Sequence, residues 1–153
     1  MKRNKRGFTL IEILVVIGIL AVLFAIALVA INPARQFSQA NDTKRRSDVN
    51  AILNAIHQYA ADNKGALPTA IITTAAVIGN GTGEADICSS LVTRYLAALP
   101  RDPLTTGGDV TDCTATYTTN YMVVKSATDN RITVSAKGEV DNSASLYNIT
   151  VTR

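Results

Sequence analysis

Lys5-Arg6-Gly7-Phe8-Thr9-Leu10-Ile11-Glu12 stands near the start of the chain, and residues 13–31, from Ile13 to Ile31, follow without a charged or strongly polar side chain. As a helix rising about 1.5 Å per residue, that run would extend roughly 28 Å, close to the hydrocarbon thickness of a bilayer. Lys2, Arg3, Lys5 and Arg6 precede it. Positive charge on that flank keeps the N-terminus on the cytoplasmic side and sends the rest of the chain across. A secretory signal peptide is the competing reading. Its apolar region would be shorter and would end at small residues, a role open to Ala25, Ala27 and Ala30.

Working outward, the same stretch accounts for the charge. The 153 residues carry a formal +3, yet residues 1–7 hold four of the fifteen basic side chains and none of the twelve acidic ones. The remainder is therefore at −1, and the basic balance is no argument that the body binds nucleic acid. DNA binding is not indicated.

Asn32-Pro33 closes the apolar run. Proline has no amide donor and disfavours helical geometry in the residue before it, so the helix should kink or loosen there, with Gly18 as a second weak point. Helical spacing resumes at Val49, Ile52, Leu53, Ile56, Tyr59 and Ala60, which form one apolar stripe, while Lys44, Arg45, Arg46, Asp48 and Asp62 are placed off it. Gly65 and Pro68 supply a stop. The expectation is one long kinked helix over about 8–64. Its membrane-embedded part is 8–32 and its amphipathic part is 33–64, leaving a head over 65–153.

Residues 69–87, rich in Thr, Ala and Gly, read as loop with a short helix or strand. Leu91, Tyr95, Leu96 and Leu99 predict a short helix stopped by Pro100 and Pro103. Residues 117–125, 131–137 and 145–151 predict three strands, rich in Thr, Val, Ile and Tyr, with turns at Asp129-Asn130 and Gly138–Asn142. An antiparallel sheet of this kind can bury one face against the helix stripe. The fold class is α+β, a long N-terminal helix packed on a small C-terminal sheet.

Little in the head carries chemistry. Cys88 and Cys113 are the only thiols. An even pair in an exported segment points to a disulfide, with two buried unpaired thiols as the alternative. They do not make a zinc set with the single histidine, His57, which is read as a packing or surface residue. No Ser-His-Asp arrangement, phosphate-cradling glycine loop or acid/base carboxylate pair stands out, so no enzyme and no cofactor is expected. Asn41-Asp42-Thr43, Asn80-Gly81-Thr82 and Asn148-Ile149-Thr150 match the N-glycosylation pattern, as a Thr-rich chain also does by chance.

Glu12 is the informative exception, a lone carboxylate at the start of an apolar span. Such a group needs solvation by headgroups or a partner. A freed amino terminus at Phe8 of a neighbouring subunit would be one. The string from Lys5 to Glu12 resembles the processing site of type IV prepilins and type II secretion pseudopilins. Basic residues, Gly, Phe and a carboxylate four positions beyond the Phe are followed by a long apolar helix.

The resemblance implies removal of residues 1–7 by a prepilin peptidase cutting between Gly7 and Phe8, and methylation of the new Phe8 amine. It implies assembly of a helical homo-oligomer through the N-terminal helix on an inner-membrane platform, with Phe8 and Glu12 setting the register. It also implies a disulfide pinning the head, and a helix-breaking proline for which Pro33 is the candidate. The precursor would lie in membrane lipid. The leading expectation is a subunit of an extracellular type IV pilus serving adhesion, motility or DNA uptake. The alternatives are a type II secretion pseudopilin and a membrane-tethered binding module. The string Leu99-Pro100-Arg101-Asp102-Pro103 resembles major pseudopilins, several of which bind calcium nearby. Asp102, Asp109 and Asp112 offer oxygen ligands, but at no recognised spacing, and are read as solvated loop acids with no metal.

Overall fold

The structure, a computed structural model, describes residues 7–140 and 147–153. The basic cluster Lys2–Arg6, the end of the Gly138–Asn142 turn and the start of the strand expected at 145 lie outside the described residues. Two units are distinct, the first ending at Phe37 and the second running from Ser38 to Arg153.

In the first unit, helix α1 covers Leu10–Ile31. Its span Leu10–Ala30 is long and apolar enough to cross a membrane, and none of it is buried within the chain. Gly18 lies inside α1 without interrupting it. The break falls at Asn32, which adopts a left-handed conformation (φ 44°, ψ 78°). Proline at 33 pushes its predecessor out of the helical region, and Asn is one of the few residues that tolerates positive φ. Pro33 then opens helix α2, Pro33–Asp62, at a position where no amide donor is needed. The Asn32 Oδ1 accepts from the Arg35 amide at 3.3 Å, so one residue closes α1 and caps α2. The kinked helix expected over 8–64 is thus two helices, with the break at the expected Asn32-Pro33 step.

In the second unit, α2 ends where Lys64 takes a positive φ of 58° and the Gly65 amide donates to the Ala60 carbonyl at 2.8 Å. That six-to-one bond satisfies a carbonyl at the helix end. The sheet follows in the order β1-β2-β3-β4, formed by Ala76–Gly79, Thr118–Lys125, Ile132–Ala136 and Ile149–Thr152, antiparallel throughout. The α+β class holds, with four strands where three were expected. Strand β1 has four residues, one a glycine, and its register with β2 shifts between Val77 and Gly79. So short and bulged a strand shows no alternation to detect.

Alternation does place Tyr121 and Val123 of β2, Ile132, Val134 and Ala136 of β3 and Ile149 of β4 on the buried face. They form one core with Val49, Ile52, Leu53 and Ile56 of α2. Tyr121 passes through that core, and its hydroxyl donates to Asp48 Oδ2 at 2.7 Å.

The short helix lies upstream of its expected place. Helix α3 is Cys88–Leu91, and Thr93, at φ 72°, turns the chain away. For a β-branched residue that conformation is unusual and ends any helix. The Leu99 and Val110 backbones instead exchange two hydrogen bonds of 2.8 Å. The helical spacing of Leu91, Tyr95, Leu96 and Leu99 arises from turns that bury some of the same side chains.

Candidate functional site

Gly7, Phe8 and Thr9 precede α1 in non-helical backbone, with Phe8 80% exposed. Thr9 is the N-cap, and its Oγ1 accepts from the Glu12 amide at 3.3 Å. Glu12 Oε2 in turn accepts from the Thr9 amide at 3.5 Å. This reciprocal capping box fills two of the donors that a helix start leaves open. It also sets a carboxylate in the first turn, where the helix dipole favours negative charge. Glu12 is therefore held against the backbone of the residue that follows Phe8. A Cβ built on Gly7 would meet nothing within 4 Å among the described residues, so their packing does not demand glycine there.

Cys88 and Cys113 are joined by a disulfide with Cα atoms 5.5 Å apart. It ties α3 to the loop that enters β2. Cys88 belongs to the core.

The three loop aspartates are not one cluster. Asp109 Oδ1 accepts from the Arg101 amide at 3.2 Å, and Asp112 Oδ1 accepts from the Thr114 amide and hydroxyl at 2.9 and 2.6 Å. Asp102 corrects the expectation of solvated acids, being buried and gripped by Arg45. The Arg45 Nε donates to Asp102 Oδ2 at 2.6 Å and Nη2 to Oδ1 at 3.0 Å, while Nη1 reaches Asp42 at 2.8 Å and Glu139 at 2.6 Å. Asp42 also accepts from the Glu139 and Val140 amides at 2.8 and 3.0 Å. No group of three His, Cys, Asp or Glu among the described residues is placed to hold a metal ion.

Arg45 corrects a second expectation. It is 2% exposed and lies on the buried stripe of α2 with Asp42, Val49, Ile52 and Ile56. The spacing of 42, 45, 49, 52 and 56 carried the signal, but the charge at 42 and 45 hid it. Burial alone would raise Asp42, yet bonds from the Val140 and Glu139 amides and from Arg45 hold its carboxyl below the usual range. Asp102 behaves alike, with burial outweighed by Arg45 and the Leu104 amide. Burial opposes the Arg45 charge, and the three carboxylates outweigh that and raise it. The network latches the Leu99–Pro103 loop and the turn after β3 onto α2.

His57 sits on α2 with Nε2 buried and without a hydrogen-bond partner. Nothing around it suggests catalysis.

Comparisons with known proteins bear on the first of these places. The family model described as a prokaryotic N-terminal methylation motif matches residues 2–28. The type II secretion system core protein G of Aeromonas hydrophila is 35% identical over 102 residues, 67% of this chain and 69% of that protein. The protein of the same name from Pseudomonas aeruginosa is 36% identical over 102 residues, 67% and 70% of the two chains. That of Dickeya chrysanthemi is 35% identical over 103 residues, 67% and 65%. No solved structure is significantly similar to the chain.

Proposed function

The chain belongs to the type IV pilin and type II secretion pseudopilin family, and from that premise we propose that it is a pseudopilin, a subunit of the cell-envelope filament of a type II secretion system. The observation that carries this is its likeness over two thirds of its length to relatives named as type II secretion core protein G. An extracellular type IV pilus, the leading expectation from the sequence, is less well supported than the secretion reading. The precursor is anchored in the inner membrane through α1.

Cleavage falls between Gly7 and Phe8. Gly7 is small for the sake of the peptidase, since its own surroundings leave room for a side chain. The bond to be cut lies outside helical structure, and the apolar helix stays whole after cutting. The freed Phe8 amine is then methylated. On assembly, α1 exchanges lipid for the apolar helices of other copies. The Glu12 carboxylate neutralises a neighbour's Phe8 amine and so fixes axial register, as a single buried polar residue fixes register in coiled coils. The head, held together by its disulfide and ion-pair latch, rides on that shaft.

The test is removal of the gene from its native cell. The secretion reading expects proteins normally released by the type II pathway to be retained. It also expects sheared surface material from the parent cells to contain no filament built of this chain. Long surface filaments made of it, with secretion intact in the deletion strain, would contradict the reading.

A further inference from the structure

Arg35 is the sole charged residue between Glu12 and Asp42, so no neighbouring acid in the sequence offsets it. Its side chain is exposed, and none of the ion pairs among the described residues includes it. It lies in the first turn of α2, where the helix dipole disfavours a cation. The ion pairs of the described residues therefore give no reason for a positive charge at this position.

Its distance from the apolar span supplies one. The span Leu10–Ala30 has 21 residues. At 1.5 Å per residue it is about 31 Å long, against a hydrocarbon core of about 30 Å. The headgroup layers add roughly 5–8 Å on each side. Arg35 follows the end of the span by a little over one helical turn, about 7 Å at the same rise, which sets it in the headgroup layer. An arginine side chain is long enough to keep its charge in that layer if the helix tilts or shifts. Asn32 ends α1 just before it, and the Asn32 Oδ1 accepts from the Arg35 amide at 3.3 Å.

We propose that Arg35 binds the phosphate of a bilayer lipid, on the side of the membrane away from the leader, and so sets the depth of α1 in the precursor. The guanidinium offers paired donors that match two phosphate oxygens, and a lipid phosphodiester supplies the anion. The contact is made only while α1 lies in lipid, so assembly into a filament breaks it. The inference rests on the membrane-anchored precursor and is the same for a secretion filament and a pilus.

The experiment uses the full-length chain in vesicles of phosphatidylethanolamine and phosphatidylglycerol, in phosphate-free buffer so that lipid supplies all the phosphorus. Solid-state NMR reads the dephasing of arginine ¹³Cζ signals by ³¹P. Arg35→Gln should remove a phosphorus-coupled signal that Arg46→Gln, at another exposed arginine of α2, leaves in place. Depth is read separately. The chain has no tryptophan, so Phe24→Trp and Phe37→Trp, both at exposed positions, each give a single probe for quenching by lipids brominated on their chains. The Phe24→Trp probe should be strongly quenched throughout. Adding Arg35→Gln should raise the quenching of the Phe37→Trp probe as the helix sinks, whereas Arg35→Lys, which keeps the charge, should not. A phosphorus-coupled signal unchanged by Arg35→Gln, with Phe24→Trp still quenched, would overturn the proposal alone. Unchanged quenching of Phe37→Trp in the Arg35→Gln background would overturn the depth-setting role. An unquenched Phe24→Trp would overturn the membrane-anchored precursor and this inference with it.

Discussion

At the scale of single residues, Glu12 and Arg45 contrast in how a charge among apolar groups is used. Glu12 lies in the first turn of an exposed apolar helix, where it caps its own chain. Its proposed second role, neutralising a neighbour's amine, needs the charge and not the cap. Glu12→Gln separates the two, because glutamine also completes a capping box. The expected outcome is that Glu12→Gln and Glu12→Ala both remain in the membrane and are cleaved but lose assembly, as read by cross-linking of subunits in cells. Assembly by the glutamine variant at the parent's level would assign Glu12 to capping alone.

Arg45 is buried, with its positive charge shared among Asp42, Asp102 and Glu139. Replacing it by Met leaves buried carboxylates uncompensated and should cost about 3–5 kcal/mol, measured by urea unfolding. The same pairing has a pH signature. The carboxyls of Asp42 and Asp102 lie below their ordinary value of 3.8 in the folded chain. Their contribution is therefore fully present above 3.8 and is lost as the pH falls through the lower folded values. The unfolding midpoint should drop on acidification below that value, and Asp102→Asn should flatten the drop. An unchanged slope in that variant would remove Asp102 as the source.

At the scale of elements, what was legible followed from length and repetition. The apolar run that became α1 is too long to mistake. Strands β2 and β3 repeat their alternation over enough residues to show it, and Gly65 and Pro68 mark the end of α2. The misplacements have local causes. Strand β1 is four residues with a bulge, Thr93 adopts a conformation that its side chain disfavours, and the charged end of the α2 stripe does not look like core. The helix break was readable as to place but not as to the residue that bends. Proline starts the second helix, and Asn32 before it takes the left-handed turn. Pro33→Ala restores an amide donor and frees Asn32 from its restriction. Hydrogen exchange should then show a protected amide at position 33, which the parent lacks, and slower exchange over 34–36 in the full chain. Exchange as fast as in the parent would mean that Asn32 breaks the helix unaided.

At the scale of the whole molecule, the chain divides its work. The first unit is dominated by α1, an apolar helix with one carboxylate at its start, long and apolar enough to cross a membrane. The second carries its own core, a disulfide and the Arg45 latch, and does not depend on the membrane span for any of them. The family was legible in a motif of a few residues that the sequence shows in full, and relatives similar over 102 residues establish it. The choice between pilus and pseudopilus was not legible, because both readings rest on the same N-terminal motif. The likeness to secretion core proteins moved that choice. The central claim is that the leader is cut at Gly7–Phe8 so that α1 can leave the membrane for a filament. Intact-mass spectrometry of the chain isolated from its native cells tests it most directly. The account predicts a mature chain that begins at Phe8 with one methyl group on its amine. A chain that still carries Met1–Gly7, in cells whose prepilin peptidase is active, would contradict it.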